Sequence, residues 1–148
     1  MAAAADAGHR VVLIVATRGE EGEVAEGFLS DGETLAEGRE RETCAAAAIL
    51  GSARVHFLGY RDSGMIGEAA NEHPDSFWQA DVEDAAARVA MILEEEQADV
   101  LTVYDDHGGY GHPDHIQVHR VGHRAAEMAD TPRVLEATMN RDLVRRWR

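Results

Sequence analysis

The sequence predicts an α/β domain in which helices cover a parallel β-sheet. Residues Arg10–Thr17 form a nearly continuous apolar run rich in Val and Ile, which is typical of a strand covered on both faces. Further short apolar runs alternate with helical segments, as in βαβ units joined by right-handed crossovers. The length of 148 residues and the apolar content of 45% fit one domain with a real core, over residues 1–148.

The elements follow from periodicity and from breaker residues. The first strand leads into an acidic, glycine-punctuated loop, and Gly51 is expected to end the first helix. Asp75 or Ser76 is a candidate cap for the second helix. The predicted strands are Arg10–Thr17, Ala53–Leu58, Ala98–Tyr104 and Arg133–Ala137. The predicted helices are Glu33–Leu50, Ala80–Glu96, Asp114–Met128 and the start of another over Asn140–Arg148.

Composition disfavours several classes of partner. A formal net charge of -14 repels nucleic-acid backbones and anionic membranes. Cys44 is the only cysteine, so no internal disulfide forms, in keeping with a reducing cytosol. No apolar run is long enough to span a bilayer, and Met1–Gly8 lacks the features of a signal peptide. We therefore expect a cytoplasmic protein with a small-molecule ligand, and the sequence leaves its oligomeric state open.

Three loops that follow predicted strands contain most of the unusual polar residues. They are Arg18–Gly32, Gly59–Asp75 and Asp105–Pro113. Open α/β sheets bind their ligands outside the carboxyl ends of the strands. The position of these loops therefore favours a functional site at this edge.

The densest cluster is YDDHGGYGHPDH, Tyr104–His115. Pro113 suits the first turn of a helix, which places His112 at the N-cap and His115 in the first turn. Neutral imidazole is a common zinc ligand, and Asp114 is a candidate to orient it. The alternative is an ordinary helix start capped by polar residues, which a bare His-Pro-Asp-His motif would favour.

The other polar motifs are more ambiguous. His115, His119 and His123 share one helix face, and His-x3-His can chelate zinc. We expect packing or surface roles for the last two, because only the first turn of the helix is expected to reach the crevice and a residue two turns on lies more than ~10 Å further along the axis. Asp62 and Arg61 suit hydrogen bonds with sugar hydroxyls, or equally a turn. His73–Asp75 is expected to form a turn.

Four segments together resemble a known family. VVLIVATRGEEGEV, LGYRDSGM, YDDHGGYGHPDH and EATMNRD are similar to the PIG-L/LmbE-like N-acetylglucosaminyl deacetylases, in particular to their actinobacterial, mycothiol-pathway branch. The resemblance runs from about Arg10 to Asp142. It implies a Rossmann-like three-layer parallel sheet, one divalent metal ion, usually zinc, and hydrolysis of an N-acyl group from an amino-sugar conjugate.

The resemblance also implies roles for individual residues. His115 matches a metal ligand, and His112 matches the histidine that stabilises the oxyanion or protonates the leaving amine. Asp114 matches the carboxylate that tunes this histidine, and Tyr110 matches a tyrosine that reaches the oxyanion. On the substrate side, the matching residues are Arg39, Asp62 and Met65.

One departure from the family pattern affects the expected activity. The family's first strand ends in His-Pro-Asp-Asp, which supplies two metal ligands and a general base, and this chain begins after that motif. His73–Asp75 lies in a different loop and does not replace it. A general base contributes roughly 10²–10⁴-fold, so we expect impaired hydrolysis. A non-catalytic relative that binds a sugar or a partner chain is the alternative. A dinucleotide-binding domain ranks last, because no G-x-G-x-x-G motif is present.

Overall fold

The computed structural model describes residues 1–138. The predicted helix over Asn140–Arg148 lies outside them. The helices are α1 (Ala2–Asp6), α2 (Leu35–Ile49), α3 (Val82–Glu95), α4 (Gly108–Gly111) and α5 (Pro113–Met128), and the strands are β1 (Val12–Thr17), β2 (Arg54–Tyr60), β3 (Val100–Tyr104) and β4 (Arg133–Ala137). Two 3-10 turns, Ala69–Glu72 and Phe77–Gln79, precede α3.

The chain divides into two compact units, each with its own two-stranded parallel sheet. Unit 1 comprises Met1–Gly64 and Glu68–Gln79, and unit 2 comprises Met65–Gly67 and the chain from Ala80 onward. In unit 1, β1 pairs with β2 so that Val12 lies opposite Arg54. In unit 2, β3 pairs with β4 in an unbroken register. The predicted alternation of strands and helices along the chain and the parallel pairing are confirmed, and the four strands form two two-stranded sheets.

Strand β1 is half-buried along its whole length, whereas its apolar sequence predicts coverage of both faces. Among the described strands it pairs with β2 alone. A strand with one paired neighbour keeps part of its surface accessible. Strand β1 is therefore less buried than predicted, whereas its position in the chain and its type as a strand agree with the prediction.

Helix α2 begins and ends at clear local signals. Thr34 and Glu37 form a capping box in which each side chain accepts from the other's backbone N–H, which satisfies two otherwise orphaned donors. Gly51, at φ +76°, takes the left-handed conformation that commonly ends a helix, as predicted. An added Cβ on Gly51 would lie 2.7 Å from the Ala5 methyl. Helix α1, which was not predicted from the sequence, therefore packs against this turn.

The core of unit 2 is built from small aliphatic side chains. Helices α3 and α5 pack together through their alanine-rich faces, and an added Cβ on Gly122 would collide with Val103 of β3. The absence of a side chain at Gly122 therefore lets α5 approach the sheet closely. The buried apolar residues of this unit are Ala85, Ala86, Val89, Ala90, Leu93, Val103, Val121, Ala125 and Ala126.

The cap of α3 differs from the prediction. Asp81 occupies the N-cap and accepts hydrogen bonds from the backbone N–H groups of Glu83 and Asp84, so the candidates Asp75 and Ser76 were wrong. Ser76 is fully buried beside the 3-10 turns, and the turn predicted at His73–Asp75 is present. None of the described helices is long and apolar enough to cross a membrane.

Candidate active site

The loop after β3 is organised by Asp105 and by glycines. The Asp105 carboxylate accepts a 2.8 Å bond from the Gly109 N–H and a 2.9 Å bond from the Thr138 hydroxyl. These bonds, with that from Gly109 largest, hold the pKa of Asp105 below its ordinary value. An added Cβ on Gly108 would lie 2.8 Å from the Ile116 nitrogen. The loop therefore folds tightly against the start of α5, and its centre forms the short helix α4.

His112 is the N-cap of α5, as the sequence predicts. Its Nδ1 accepts a 3.2 Å hydrogen bond from the Asp114 N–H, and Pro113 fills the first helical position. Because Nδ1 supplies a lone pair, the proton of the neutral ring is on Nε2. His112 therefore presents Nε2–H as a hydrogen-bond donor.

His115, one turn further along, has the opposite arrangement. Its Nδ1 lies 3.2 Å from the carbonyl oxygen of Gly108. A carbonyl oxygen only accepts, so Nδ1 carries the proton and the lone pair of the neutral ring lies on Nε2. The ring also stacks on Tyr104, with centroids 3.9 Å apart and planes 5° apart, which fixes its orientation.

These rings and Tyr110 form one aromatic cluster. The His112 and His115 centroids are 4.9 Å apart. Tyr110 presents its edge to both histidines, at 6.1 and 5.2 Å, and is 66% exposed. The structure thus brings together Tyr110, His112 and His115, three of the residues predicted for the chemistry. Asp114, between the histidines in sequence, is buried.

Two functional candidates in this cluster were missed by the sequence analysis. Tyr104 supports the His115 ring, and burial, followed by the nearby Tyr110, raises the pKa of its phenol, so the hydroxyl stays protonated well into the alkaline range. Asp105 holds the loop. Their positions at the carboxyl end of β3 are the signal that would have found them.

Asp62, predicted to bind sugar hydroxyls, is buried in the loop after β2. Its carboxylate accepts bonds from the backbone N–H groups of Gly64, at 2.9 Å, and Glu21, at 3.3 Å. The adjacent Arg61 makes an ion pair with Glu21. Both predicted uses of this segment, a turn and a polar site, are therefore compatible with the geometry.

Arg39 and Met65 complete the set of predicted substrate residues. Arg39, in α2, donates to the carbonyl oxygen of Glu23 at 3.2 Å and pairs with Glu42, and its guanidinium lies over the Phe28 ring. Arg39 and Asp62 thus both contact the glycine-rich loop after β1, within unit 1. Met65 is 40% exposed.

The His115 ring suits a divalent metal ion. Histidines that ligate metals usually donate their second ring N–H to a carbonyl or carboxylate oxygen, which fixes the tautomer and raises the basicity of the ligating nitrogen. The bond from His115 Nδ1 to Gly108 has this form, and Nε2 would be the ligating atom. The chemistry of the donor therefore fits the metal that the resemblance implies.

Comparison with known proteins identifies the family. Residues 1–126 match the model of the PIG-L family, GlcNAc-PI de-N-acetylase, and the chain belongs to this family.

Two curated relatives are 1D-myo-inositol 2-acetamido-2-deoxy-alpha-D-glucopyranoside deacetylases. A 1D-myo-inositol 2-acetamido-2-deoxy-alpha-D-glucopyranoside deacetylase from Catenulispora acidiphila is 48% identical, with 89% of this chain and 44% of the relative covered. One from Nocardiopsis dassonvillei is 52% identical, with 80% of this chain and 45% of the relative covered. The chain spans less than half the length of these relatives.

Solved structures show the same fold. N,N'-diacetylchitobiose deacetylase from Pyrococcus horikoshii superimposes with a TM-score of 0.64 at 22% identity, over 88% of this chain and 43% of that one. A conserved protein from Thermus thermophilus also gives a TM-score of 0.64, at 21% identity, over 94% of this chain and 57% of that one. The predicted α/β class is confirmed.

Proposed function

We propose that this chain contributes to a metal-dependent N-deacetylase that hydrolyses the acetamido group of an N-acetylglucosamine conjugate. The names of the relatives suggest 1D-myo-inositol 2-acetamido-2-deoxy-α-D-glucopyranoside as the substrate. The observation that carries the proposal is the pair of ring hydrogen bonds at the start of α5, which favour opposite tautomers in His112 and His115. One ring then offers a metal-binding lone pair and the other offers an N–H donor.

His112 has the chemistry to assist amide hydrolysis. Its Nε2–H donates a hydrogen bond to the oxygen of the amide as negative charge develops there. Using Nδ1 as the cap acceptor keeps this tautomer in place before substrate arrives. The Tyr110 ring is nearly perpendicular to both histidine rings, and its hydroxyl group supplies a second hydrogen-bond donor to the same oxygen.

His115 would hold the metal ion through Nε2. We propose zinc, whose usual ligands include histidine nitrogen, and the ion supplies Lewis acidity when bound. A catalytic zinc ion typically has three protein ligands. A zinc ion bound at His115 would therefore need two further ligands.

Asp62, Arg39 and Met65 are proposed to contact the substrate. The Asp62 carboxylate uses two lone pairs for the Gly64 and Glu21 N–H groups, which fix its position, and its oxygens have further capacity to accept bonds from sugar hydroxyls. Arg39 is positioned by Glu23 and Glu42. These contacts preorganise the two charged side chains for polar ligands.

The test is acetate release from 1D-myo-inositol 2-acetamido-2-deoxy-α-D-glucopyranoside with Zn²⁺ added. His112→Gln should lower kcat about 10²–10³-fold while zinc content is unchanged, because the imidazole donor to the oxyanion is removed and the proposed metal ligand His115 is kept. His115→Ala should lower both kcat and zinc content. Asp62→Asn should mainly raise KM. Zinc content is measured by elemental analysis of the same preparations.

His73→Ala is the matched control. His73 belongs to the other His-Pro-Asp sequence, and its Nδ1 accepts from the Asp75 N–H at 3.1 Å, as His112 Nδ1 does from Asp114. Activity should survive this change. Equal losses in His73→Ala and His112→Gln, or unchanged turnover in His112→Gln, would refute the proposed role of His112.

A further inference from the structure

We propose a second metal site, formed by His119, His123 and Glu136, that binds a divalent transition-metal ion. These residues are outside the cluster described above, and the inference does not depend on the proposed deacetylase function. One ring nitrogen from each histidine and one Glu136 oxygen all lie within 4.8 Å of one another. The three residues come from two elements of unit 2, namely α5 and β4.

The backbone places these ligands together. His119 and His123 are one helical turn apart on one face of α5, and their ring centroids are 4.5 Å apart. Glu136 lies on β4, opposite Val103 of β3, and α5 approaches this sheet closely at Gly122. The two histidines, for which packing or surface roles were predicted, therefore lie beside a carboxylate from a distant part of the sequence.

The distances are close to those of a coordinated ion. Two ligands of a tetrahedral zinc ion lie about 3.3 Å apart, given metal–ligand distances of about 2.0–2.1 Å. Glu136 Oε1 lies 2.8 Å from His123 Nε2, and each of the three residues has a donor atom within 4.8 Å of the other two. Coordination would lengthen the Oε1–Nε2 separation by about half an ångström and bring the more distant donors closer together.

The surroundings favour a cation. His119 Nδ1 lies 3.2 Å from the carbonyl oxygen of Tyr104. A hydrogen bond from Nδ1–H to this oxygen orients the ring and makes Nε2 the ligating atom. His123 lines a surface hollow of about 320 Å³ together with the acidic residues Glu127 and Asp130. The His123 and Glu136 side chains are about 40% exposed, so a water molecule can complete the coordination sphere.

The donor set indicates the kind of metal. Two imidazoles and one carboxylate suit Zn²⁺, Ni²⁺ or Cu²⁺, whereas Mg²⁺ and Ca²⁺ prefer oxygen ligands alone. Occupation would tie α5 to β4. Without a metal ion, the same residues form an exposed hydrogen-bonded ion pair, which contributes little to stability.

The experiment titrates the metal-stripped protein with Zn²⁺ and Co²⁺ by calorimetry and visible absorption. Glu136→Gln keeps the shape of the side chain and His123→Ala removes a ligand. Each should eliminate one binding event, or weaken it at least about tenfold, because one of three ligands is lost. The exposed His9→Ala variant is the control and should bind as the parent does.

A His115→Ala background separates this site from the proposed active site. The binding event assigned to Glu136 should persist in that background, and excess Mg²⁺ should not compete with it. Identical stoichiometry and affinity in the parent, Glu136→Gln and His123→Ala proteins would overturn the proposal and leave only the ion pair. Disappearance of all metal binding in His115→Ala would overturn it as well.

Discussion

At the start of α5, hydrogen bonds from neighbouring groups determine which ring nitrogen of each histidine carries the proton and which carries the lone pair. His112 and His115 are three residues apart, yet a backbone N–H fixes one tautomer and a backbone carbonyl fixes the other. The carbonyl is that of Gly108, so the shape of the glycine loop determines which nitrogen of His115 is presented. Asp105, which holds Gly109, is in turn the residue that determines this shape.

Replacing Asp105 tests this dependence through pH. Because the folded-state pKa of Asp105 lies below its ordinary value of 3.8, its contribution to stability is present above that value and is lost as pH falls through the lowered pKa. Asp105→Asn should therefore reduce the decline in unfolding free energy between about pH 5 and pH 2. Urea titrations across this range measure it, and an unchanged decline would contradict the assignment.

At the scale of elements, caps and close approaches define where each helix begins and how it packs. The capping box at Thr34 and the N-cap at Asp81 each satisfy donors that a helix start leaves unpaired. Gly122 allows α5 to contact β3. These are local signals that a sequence contains, but their use depends on where the chain turns.

The cap of α3 offers a direct comparison of two aspartates. Asp81→Ala should destabilise the protein by about 0.5–2 kcal/mol, since the bonds to the Glu83 and Asp84 N–H groups are lost. Asp75→Ala, at the exposed position first expected to cap this helix, should have a smaller effect. Thermal unfolding of both variants provides the measurement, and the reverse order of stability would show that the cap is misplaced.

At the scale of the molecule, the sequence predicted the periodic elements within residues 1–138 well. Strand positions followed from runs of Val, Ile and Leu, and the start of α5 followed from Pro113 and its flanking histidines. Helix α1 was missed because five alanine-rich residues at a terminus carry no apolar periodicity. The cap of α3 was misplaced because Asp75, Ser76 and Asp81 are chemically similar, and only the intervening 3-10 turn distinguishes them.

The proximity of candidate site residues was predictable for residues close in sequence, and less so for residues distant in sequence. Tyr110, His112 and His115 lie within six positions, and a loop and one helical turn bring them together. The stacking of Tyr104 on His115 and the approach of Glu136 to His123 depend on the packing of α5 against its sheet. No local pattern specifies such contacts.

The central claim concerns which nitrogen bears the proton in two rings, and ¹⁵N-edited NMR of the imidazoles in the metal-free protein measures this directly. Above the pH at which both rings become neutral, His112 should show a protonated Nε2, and His115 should show a protonated Nδ1 with a lone pair on Nε2. Finding Nε2 protonated in His115, or the same tautomer in both rings, would contradict the account.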